Sequence, residues 1–162
     1  MIWGITMTDT IIIGADHGGF YLKEEIKGIL AGLGLHVKDT GADTYDADDD
    51  YPEFASKVAS AVSSGAFKKG IIICGSGVGA SITANKFSGV RAGLCHDSYS
   101  AHQGVEHDDM NILCLGARVV GIEVAKELIE AFVRDCFTGE ERHIRRLGKL
   151  IDIERKCLQN GT

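Results

Sequence analysis

Short apolar runs alternate with longer amphipathic segments along most of the chain, and this alternation predicts its secondary structure. Five apolar runs predict strands, in TIIIGAD, LHVKDTG, KGIIICGSG, GVRAGLCHD and MNILCLGARVVG. The segment after the first run carries Leu22, Ile26, Ile29, Leu30 and Leu33 at helical spacing. Short strands separated by helices are typical of βαβ units, and near-continuous apolar strands suit a parallel sheet covered on both faces.

The pattern therefore predicts one doubly wound α/β domain with a five-stranded parallel sheet, followed by a C-terminal amphipathic helix. The predicted domain covers residues 10–150, with a leader at 1–9 and a tail at 151–162. Pro52 stands at a predicted helix start, where its missing N–H costs nothing. In the tail region, Leu150, Ile151 and Ile153 are expected to pack against the domain or against a partner subunit.

Composition excludes several classes of protein. The chain has 162 residues, 44% of them hydrophobic, and no apolar run approaches the ~20 residues that a membrane span needs. The start MIWGITMTDT lacks the basic and apolar regions of an export signal, so a cytoplasmic protein is expected. A formal net charge of −6 argues against nucleic acid as a partner. The acidic stretch DTYDADDDYPE is expected to be a solvated loop.

Cysteine and histidine usage predicts neither a disulfide framework nor a metal site. The five cysteines form no CxxC pair, and the six histidines form no HxxxH or HxH pattern. Free thiols beside apolar runs usually behave as small hydrophobes. The cysteines are Cys74, Cys95, Cys114, Cys136 and Cys157.

Chemically reactive side chains follow the predicted strands, where open parallel sheets bind their ligands. These residues are Asp16, His17, Cys74, Ser76, Asp97 and Arg118. The loop GSGVGAS matches neither a Walker motif nor a dinucleotide fingerprint, but its amides could bind a phosphate or an oxyanion. A tight turn without a ligand would give the same sequence.

Three further features of the sequence each allow both a functional and a purely structural interpretation. Cys74 precedes a predicted helix start, which would favour its thiolate, although a buried structural cysteine is the ordinary alternative. His107 is flanked by Asp108 and Asp109, which could orient it and raise its pKa, although most lone histidines are surface or core residues. Arg142 and Arg146 are i, i+4 neighbours and could clamp a phosphate, or belong to a solvated helix face with Glu140 and Glu141.

Several stretches together resemble the family of B-type ribose-5-phosphate isomerases and galactose-6-phosphate isomerases. They are GADHGGFYLKEEI, DYPEFASKVA, IIICGSGVGASITANKFSGVRA, HDSYSAHQGVEHDDMNILCLGARVVG and RHIRR. The resemblance covers roughly Thr10 to Leu150. It implies a Rossmann-like three-layer domain and a homodimer or dimer of dimers whose active sites are shared between subunits. It also implies interconversion of a phosphorylated aldose and ketose through a cis-enediol, without metal or cofactor.

The resemblance also implies residue roles. Cys74 would be the base that moves the proton between C1 and C2, Asp16 would handle protons at the sugar oxygens, and His107 would open the furanose ring. Ser76 would stabilise the enediolate together with the amides of Gly75, Gly77, Gly79 and Ser81. Asp108 and Asn111 would contact the substrate as well. The phosphate would be held by His17, Arg118, Arg142 and Arg146, some of them from the partner subunit.

Ribose 5-phosphate is the expected substrate, and other functions remain as alternatives. Asp108 stands where relatives often have asparagine, which leaves galactose 6-phosphate or allose 6-phosphate as the nearest alternative. A non-catalytic phosphosugar-binding protein would lack the base or the ring-opening group, and both Cys74 and His107 are present. An isomerase of unphosphorylated sugars would not need Arg142 and Arg146.

Overall fold

A computed structural model describes residues 10–160 of the chain, and the predicted strands and helices are all present there. The strands are β1 (Thr10–Ala15), β2 (His36–Asp39), β3 (Gly70–Cys74), β4 (Ala92–Leu94) and β5 (Ile112–Gly116). The helices are α1 (Phe20–Gly32), α2 (Tyr51–Ser63), α3 (Val78–Ala84), α4 (Ser98–Asp108), α5 (Ile122–Arg134) and α6 (Glu141–Asn160). Pro52 lies in the first turn of α2, as expected. The leader at 1–9 lies outside the described residues.

All strand pairs are parallel, in the order β2-β1-β3-β5-β4. The chain moves outward from β1 to β2 and then returns to β3 on the other side of β1, so strand order reverses between β1 and β3. Ala15 pairs with Ile73, and Cys74 pairs with Gly116. The carboxyl ends of β1, β3 and β5 therefore lie side by side at one edge of the sheet, where such folds bind ligands.

Side chains alternate between the two faces of the sheet, so each face has its own core. One core joins residues of β1, β3 and β5 such as Ile13 and Ile73 to helices α1, α4 and α5. The other joins Ile12, Ile72 and Cys114 to helices α2 and α3. This arrangement confirms the predicted three-layer α/β fold.

A buried lysine connects α1 to the segment that follows β2. The side chain of Lys23 is fully buried, and its Nζ donates to Asp39 Oδ2 at 2.5 Å and to the carbonyl of Ala42 at 3.0 Å. Burial opposes ionisation of Asp39, but hydrogen bonds from Lys23, Lys27 and the Gly41 amide outweigh it and lower the pKa of that carboxyl. These bonds anchor the start of the loop at 40–50, which reaches the carboxyl edge of the sheet.

Helix α6 runs without interruption through the predicted boundary at residue 150, so residues 151–160 are its last turns. Between α6 and the segment around β4 lies a cavity of about 650 Å³, whose lining includes Leu150, Ile153, Phe87 and Asp108. Much of the apolar side of α6 stays exposed, including 45% of Leu150 and 63% of Ile153. None of the helices within residues 10–160 is long and apolar enough to span a bilayer.

Candidate active site

Three loops meet at the carboxyl edge of the sheet, after β1, β3 and β5. The N–H of Ala117 donates to the carbonyl of Cys74 at 2.9 Å, and the N–H of Arg118 donates to that of Gly75 at 3.0 Å. A Cβ added to Gly18 would come within 2.9 Å of the backbone nitrogen of Gly75, so the first and third loops are in contact. The register of the sheet and the glycines together bring these loops within reach of one ligand.

Cys74 ends β3, with its side chain on the face covered by α2 and α3. The residue is only 5% exposed, and its Sγ accepts a hydrogen bond from the N–H of Gly77 at 3.1 Å. Gly77 has φ 80°, the left-handed region that favours glycine, and this conformation turns the chain into α3. The thiol is therefore held at the sheet edge by a backbone donor that would also stabilise a thiolate.

The other predicted residues of this loop lie beside Cys74 in different environments. Ser76 is exposed, and its Oγ accepts a hydrogen bond from the N–H of Val78 at 3.3 Å. Gly79 lies against the ring of Tyr51, where an added Cβ would be 2.6 Å from Cζ. The hydroxyl of Ser81 donates to the carbonyl of Val78 at 3.0 Å. Packing against Tyr51 therefore requires glycine at position 79, in addition to the contact that its backbone amide is expected to make with the enediolate.

Asp16 is a buried carboxyl group in the loop after β1. It is 6% exposed, and its Oδ1 accepts a hydrogen bond from the N–H of Gly19 at 3.1 Å. Burial raises the pKa of Asp16 above its usual value, although the Gly19 amide and the neighbouring His17 oppose that shift. A carboxyl group with a raised pKa can give and take protons closer to neutral pH, which suits the proton-handling role expected for Asp16.

His17, the next residue, is held by an aspartate that the sequence had assigned to a solvated loop. Asp49 Oδ1 accepts hydrogen bonds from both the backbone N–H of His17 at 2.9 Å and its ring Nδ1 at 2.7 Å. The hydrogen bond that the His17 ring donates to Asp49 is the main cause that raises the pKa of His17. The acidic stretch is mostly exposed, as expected, but the Asp49 side chain is only 10% exposed. Nothing in its sequence context separates Asp49 from the neighbouring aspartates.

The exposed guanidinium group of Arg118 lies over the same edge. A Cβ added to Gly75 would be 3.6 Å from Arg118 Cζ, so the arginine side chain covers the start of the glycine loop. His17 and Arg118 therefore lie on two loops that both contact Gly75. Two cationic donors at the carboxyl edge can bind an anionic group near the thiol.

The remaining predicted residues lie at the opposite edge of the sheet. Helix α4 begins after β4 and ends just before β5, so it carries His107 and Asp108 back to the amino edge. Ile112, the first residue of β5, pairs with Gly70, whereas Cys74 pairs with the last residue, Gly116. Four residues of strand separate these positions by about 13 Å. Within one chain, the structure does not bring His107 to Cys74.

A second cluster forms at this amino edge, where α4 meets the start of α6. The ring of His107 lies 4.0 Å from that of His143 between centroids, and its Nδ1 is 3.0 Å from Gln103 Nε2. Arg142 and Arg146 lie on the same exposed turns of α6, and Arg142 Nε donates to Glu140 at 2.9 Å. The sequence had named the RHIRR motif without giving His143 a role, because its burial depends on contacts between helices.

Three residues near these clusters have structural partners. Asp109, which was expected to help orient His107, ends α4 with φ 53°, and its carboxylate pairs with Arg91 at 2.5 Å. The amide of Asn111 accepts from the N–H of Arg91 at 2.8 Å and donates to the carbonyl of Gly89 at 2.8 Å. Asp97 caps α4 by accepting from the N–H of Ser100 at 2.8 Å.

Two groups of side chains in the described part of the chain bring potential metal ligands together. One is Asp16, His17 and Asp49, and the other is His102, Glu106 and Asp135; in each, the ligand atoms lie within 4.8 Å of one another. Histidine–aspartate hydrogen bonds already join both groups, at 2.7 Å for His17 and 2.5 Å for His102. At these distances a proton bridges the two atoms, and a metal would have to displace it.

A parallel α/β sheet with a thiol, a buried carboxyl group and a glycine loop at its carboxyl edge is the kind of site found in α/β enzymes. The family model for ribose/galactose isomerases matches residues 11–150. The chain is 45% identical over 147 residues to ribose-5-phosphate isomerase B of Escherichia coli, covering 90% of this chain and 97% of the relative. It is 41% identical to D-erythrulose-4-phosphate isomerase of Pectobacterium atrosepticum, over 80% of this chain and 86% of that protein.

A solved structure of ribose-5-phosphate isomerase B from Mycoplasma genitalium, with bound ribulose-5-phosphate, superposes with a TM-score of 0.87. The two chains are 38% identical, over 93% of this chain and 99% of that one. The chain therefore belongs to the ribose/galactose isomerase family and is an isomerase of the sugar-phosphate isomerase class. The resemblance noted from the sequence is confirmed.

Proposed function

We propose that the protein interconverts ribose 5-phosphate and ribulose 5-phosphate through a cis-enediol, with Cys74 as the base. The observation that carries the proposal is the Cys74 thiol at the sheet edge, hydrogen-bonded to a backbone amide and followed by a glycine loop. The Escherichia coli relative and the Mycoplasma genitalium protein with bound ribulose-5-phosphate support the choice of substrate.

The isomerisation step needs a base and a group that stabilises the oxyanion. Cys74 Sγ removes a proton from C2 of the open-chain aldose and returns it to C1, which leaves the base unchanged after one turnover. Negative charge develops on the sugar oxygens in between, and the amides of Gly75 to Ser81 with the Ser76 hydroxyl stabilise it. Asp16, with its raised pKa, exchanges the hydroxyl protons of the enediol.

The phosphate provides binding energy away from the reacting carbons. His17 and Arg118 supply two cationic donors beside the glycine loop. Arg142 and Arg146, which lie at the other edge of the sheet, supply two more from a second subunit. Such remote contacts position the sugar so that C1 and C2 lie against the thiol. An unphosphorylated sugar would lose this anchoring, so ribose itself is expected to be a poor substrate.

The separation of His107, Arg142 and Arg146 from Cys74 supports a site built from two subunits. In a homodimer with its subunits in opposite orientations, the amino edge of one sheet faces the carboxyl edge of the other. Residues of the two edges then form two identical active sites, each with side chains from both subunits. The exposed apolar side of α6 offers a surface for such contact. We therefore include a homodimer with shared active sites in the proposal.

The substrate is tested by an isomerisation assay of the purified protein with matched concentrations of several sugars. The panel is ribose 5-phosphate, allose 6-phosphate, galactose 6-phosphate, erythrose 4-phosphate and unphosphorylated ribose. The fastest turnover is expected for ribose 5-phosphate. A preference for another phosphate, such as the four-carbon sugar named for the Pectobacterium relative, would keep the chemistry and change the substrate.

The base is tested by Cys74→Ala, which should lower kcat by at least about 10³-fold because general base catalysis is lost. The matched control is Cys114→Ala, since burial raises the pKa of the Cys114 thiol and keeps it protonated. Thermal unfolding verifies that both variants fold. An active Cys74→Ala variant would exclude the thiol as the base.

A further inference from the structure

His102 on α4 lies between two carboxylates that belong to different parts of the chain. Its Nδ1 is 2.5 Å from Asp135 Oδ2, and its Nε2 is 3.2 Å from Glu106 Oε2. A neutral imidazole has one nitrogen without a proton, which would face one of these carboxylates, whereas the imidazolium presents an N–H to both. The hydrogen bond to Asp135 is also the main cause that raises the pKa of His102. His102 is therefore a cation that joins two acidic groups.

The two carboxylates lie on either side of the contact between α4 and the segment 135–140, which joins α5 to α6. Asp135 begins this connector, and Glu106 lies in the last turn of α4. The N–H and the hydroxyl of Thr138 both donate to the carbonyl of Glu106, at 3.0 and 3.1 Å. The connector is therefore attached to α4 at two places, by the backbone of Glu106 and by the charge of His102.

The connector leads directly to an arginine that is expected to hold the phosphate. Helix α6 begins at Glu141, so Arg142 lies in its first turn. Glu140, the last residue of the connector, accepts a hydrogen bond from Arg142 Nε at 2.9 Å. The position of Arg142 relative to α4 therefore depends on the path that the connector takes from Asp135 to Glu140.

Without a cation at position 102, repulsion would act on this path. The carboxylate oxygens of Asp135 and Glu106 lie within 4.8 Å of each other, and like charges at that distance repel. Among the neighbouring cations, Lys69 donates to the backbone carbonyl of Asp135 at 2.7 Å, and Arg134 pairs with Glu130 on its own helix. A neutral side chain at position 102 should therefore let the connector move away from α4.

We propose that His102 is a positioning residue that attaches the connector to α4 and thereby places Arg142 for the phosphate of the substrate. This inference rests on the proposed function, because it assigns phosphate binding to Arg142. Three other cationic groups still orient the sugar, so a weaker contact from Arg142 should raise KM and change kcat little. Ribose 5-phosphate and ribulose 5-phosphate both carry the phosphate, so KM should rise equally for both.

The test compares two substitutions of His102 that differ in charge. His102→Gln can still form a hydrogen bond but has no charge, and should raise KM for both substrates about threefold to tenfold, since exposed ion pairs have modest energies. Its kcat should change less than about twofold. His102→Arg keeps a cation with several donors, and its KM should stay within about twofold of the wild-type value. His36→Gln changes an exposed histidine on β2 and should leave KM unchanged.

A double-mutant cycle tests whether His102 acts through Arg142. In the Arg142→Ala background, His102→Gln should change KM by less than about 1.5-fold, because the contact that it weakens is already absent. In the Arg118→Ala background the full effect should remain, since Arg118 lies at the other edge of the sheet. Thermal unfolding and native mass spectrometry verify that each variant folds and keeps the oligomeric state of the wild type.

Equal losses in His102→Gln and His102→Arg, or an undiminished loss in the Arg142→Ala background, would mean that His102 is merely structural and would overturn the inference. An unchanged KM in His102→Gln, or a fall in kcat in place of a rise in KM, would overturn it as well. A wild-type protein inactive on both substrates would refute the proposed function separately.

Binding of inorganic phosphate, measured by calorimetry, then decides the inference without turnover. Weaker binding by His102→Gln that is restored in His102→Arg would support the placement of Arg142 by His102. Equal binding by the wild type and both variants would overturn it.

Discussion

At the scale of single residues, charge around the site is set by partners distant in sequence. Asp49 holds His17 by two hydrogen bonds to one oxygen, at 2.9 and 2.7 Å, and its other oxygen is buried without a partner among residues 10–160. This pairing fixes the orientation of the imidazole and favours its cationic form. His17 therefore stays charged to higher pH than an unpaired histidine would.

Asp49→Asn should weaken phosphate binding above neutral pH. His17 has a raised pKa in the folded protein, so its cation persists below that value and is lost as pH rises through it. Without the carboxylate this loss should begin nearer the ordinary value of about 6.5, and KM for ribose 5-phosphate should rise about threefold to tenfold at pH 7.5. The measurement is KM as a function of pH.

Asp48→Asn is the control for this prediction, because it removes the same charge from an exposed position in the same loop. The phosphate of the substrate titrates near pH 6 in both variants, so its effect cancels in the comparison. Parallel KM profiles for wild type and Asp49→Asn would mean that His17 does not bind the phosphate as a cation.

At the scale of secondary structure elements, the turn from β3 into α3 decides where the reactive groups lie. Gly77 combines a positive φ of 80° with close packing, since an added Cβ would lie within 3.0 Å of the backbone carbon of Leu115 and against the side chain of Leu94. Its N–H also donates to Cys74 Sγ. Backbone conformation, packing and hydrogen bonding at the thiol are therefore coupled at this residue.

Gly77→Ala should lower both stability and activity, and Gly89→Ala is its matched control. Gly89 has a similar φ of 74°, but nothing lies within 4 Å of an added Cβ. Both variants place an alanine in the left-handed conformation, which costs about 1–2 kcal/mol. The free energy of unfolding of Gly89→Ala should therefore fall by only that amount. Gly77→Ala should lose more, and its kcat should fall at least about 10-fold as the amide moves away from Cys74.

Chemical denaturation and steady-state kinetics of the two variants provide the measurement. Equal stability losses would indicate that the turn adapts to the added methyl group. Unchanged kcat in Gly77→Ala would indicate that the amide of this residue does not contribute to catalysis.

At the scale of the whole molecule, the residues expected to form one site are divided between two edges of the sheet. One group lies at the carboxyl ends of the strands and consists of Cys74, Asp16, His17 and Arg118. The other group lies where helices return to the amino ends of the strands and consists of His107, Arg142 and Arg146. A helix that follows a parallel strand must run back along it, so residues at the end of α4 cannot reach the end of β3 in the same chain.

Complementation tests the shared site. Cys74→Ala and His107→Asn should each be inactive on ribose 5-phosphate, but in a mixed dimer one of the two sites receives both wild-type groups. If subunits exchange freely, half of the dimers are mixed, and activity should return to about a quarter of the wild-type value.

The control mixes Cys74→Ala with Asp16→Asn, two substitutions at the same edge of the sheet. In that mixture each site of a mixed dimer has one defective residue from the subunit that supplies the carboxyl edge, so activity should not return. Recovery in neither mixture, with exchange verified by native mass spectrometry, would exclude a site shared in this way.

Much of the fold followed from the sequence because its determinants are local. The apolar runs and helical spacings predicted the strands and helices, and the parallel sheet followed from their alternation. The position of Cys74 before a glycine loop also predicted the edge at which it lies. Asp49 and His143 were not found, because one sits among similar aspartates and the other within a basic motif, and only long-range contacts distinguish them.

The sequence by itself determined the α/β class, the strand ends that carry reactive groups and the resemblance to sugar-phosphate isomerases. These properties depend on hydrophobic periodicity and on short motifs, which act over a few neighbouring residues. Tertiary structure alone decided which strands are adjacent, which aspartate holds His17, that His143 is buried under His107, and that His107 lies at the opposite edge from Cys74. Those relations depend on the packing of helices against the sheet and on the direction in which each helix returns, which no local pattern encodes.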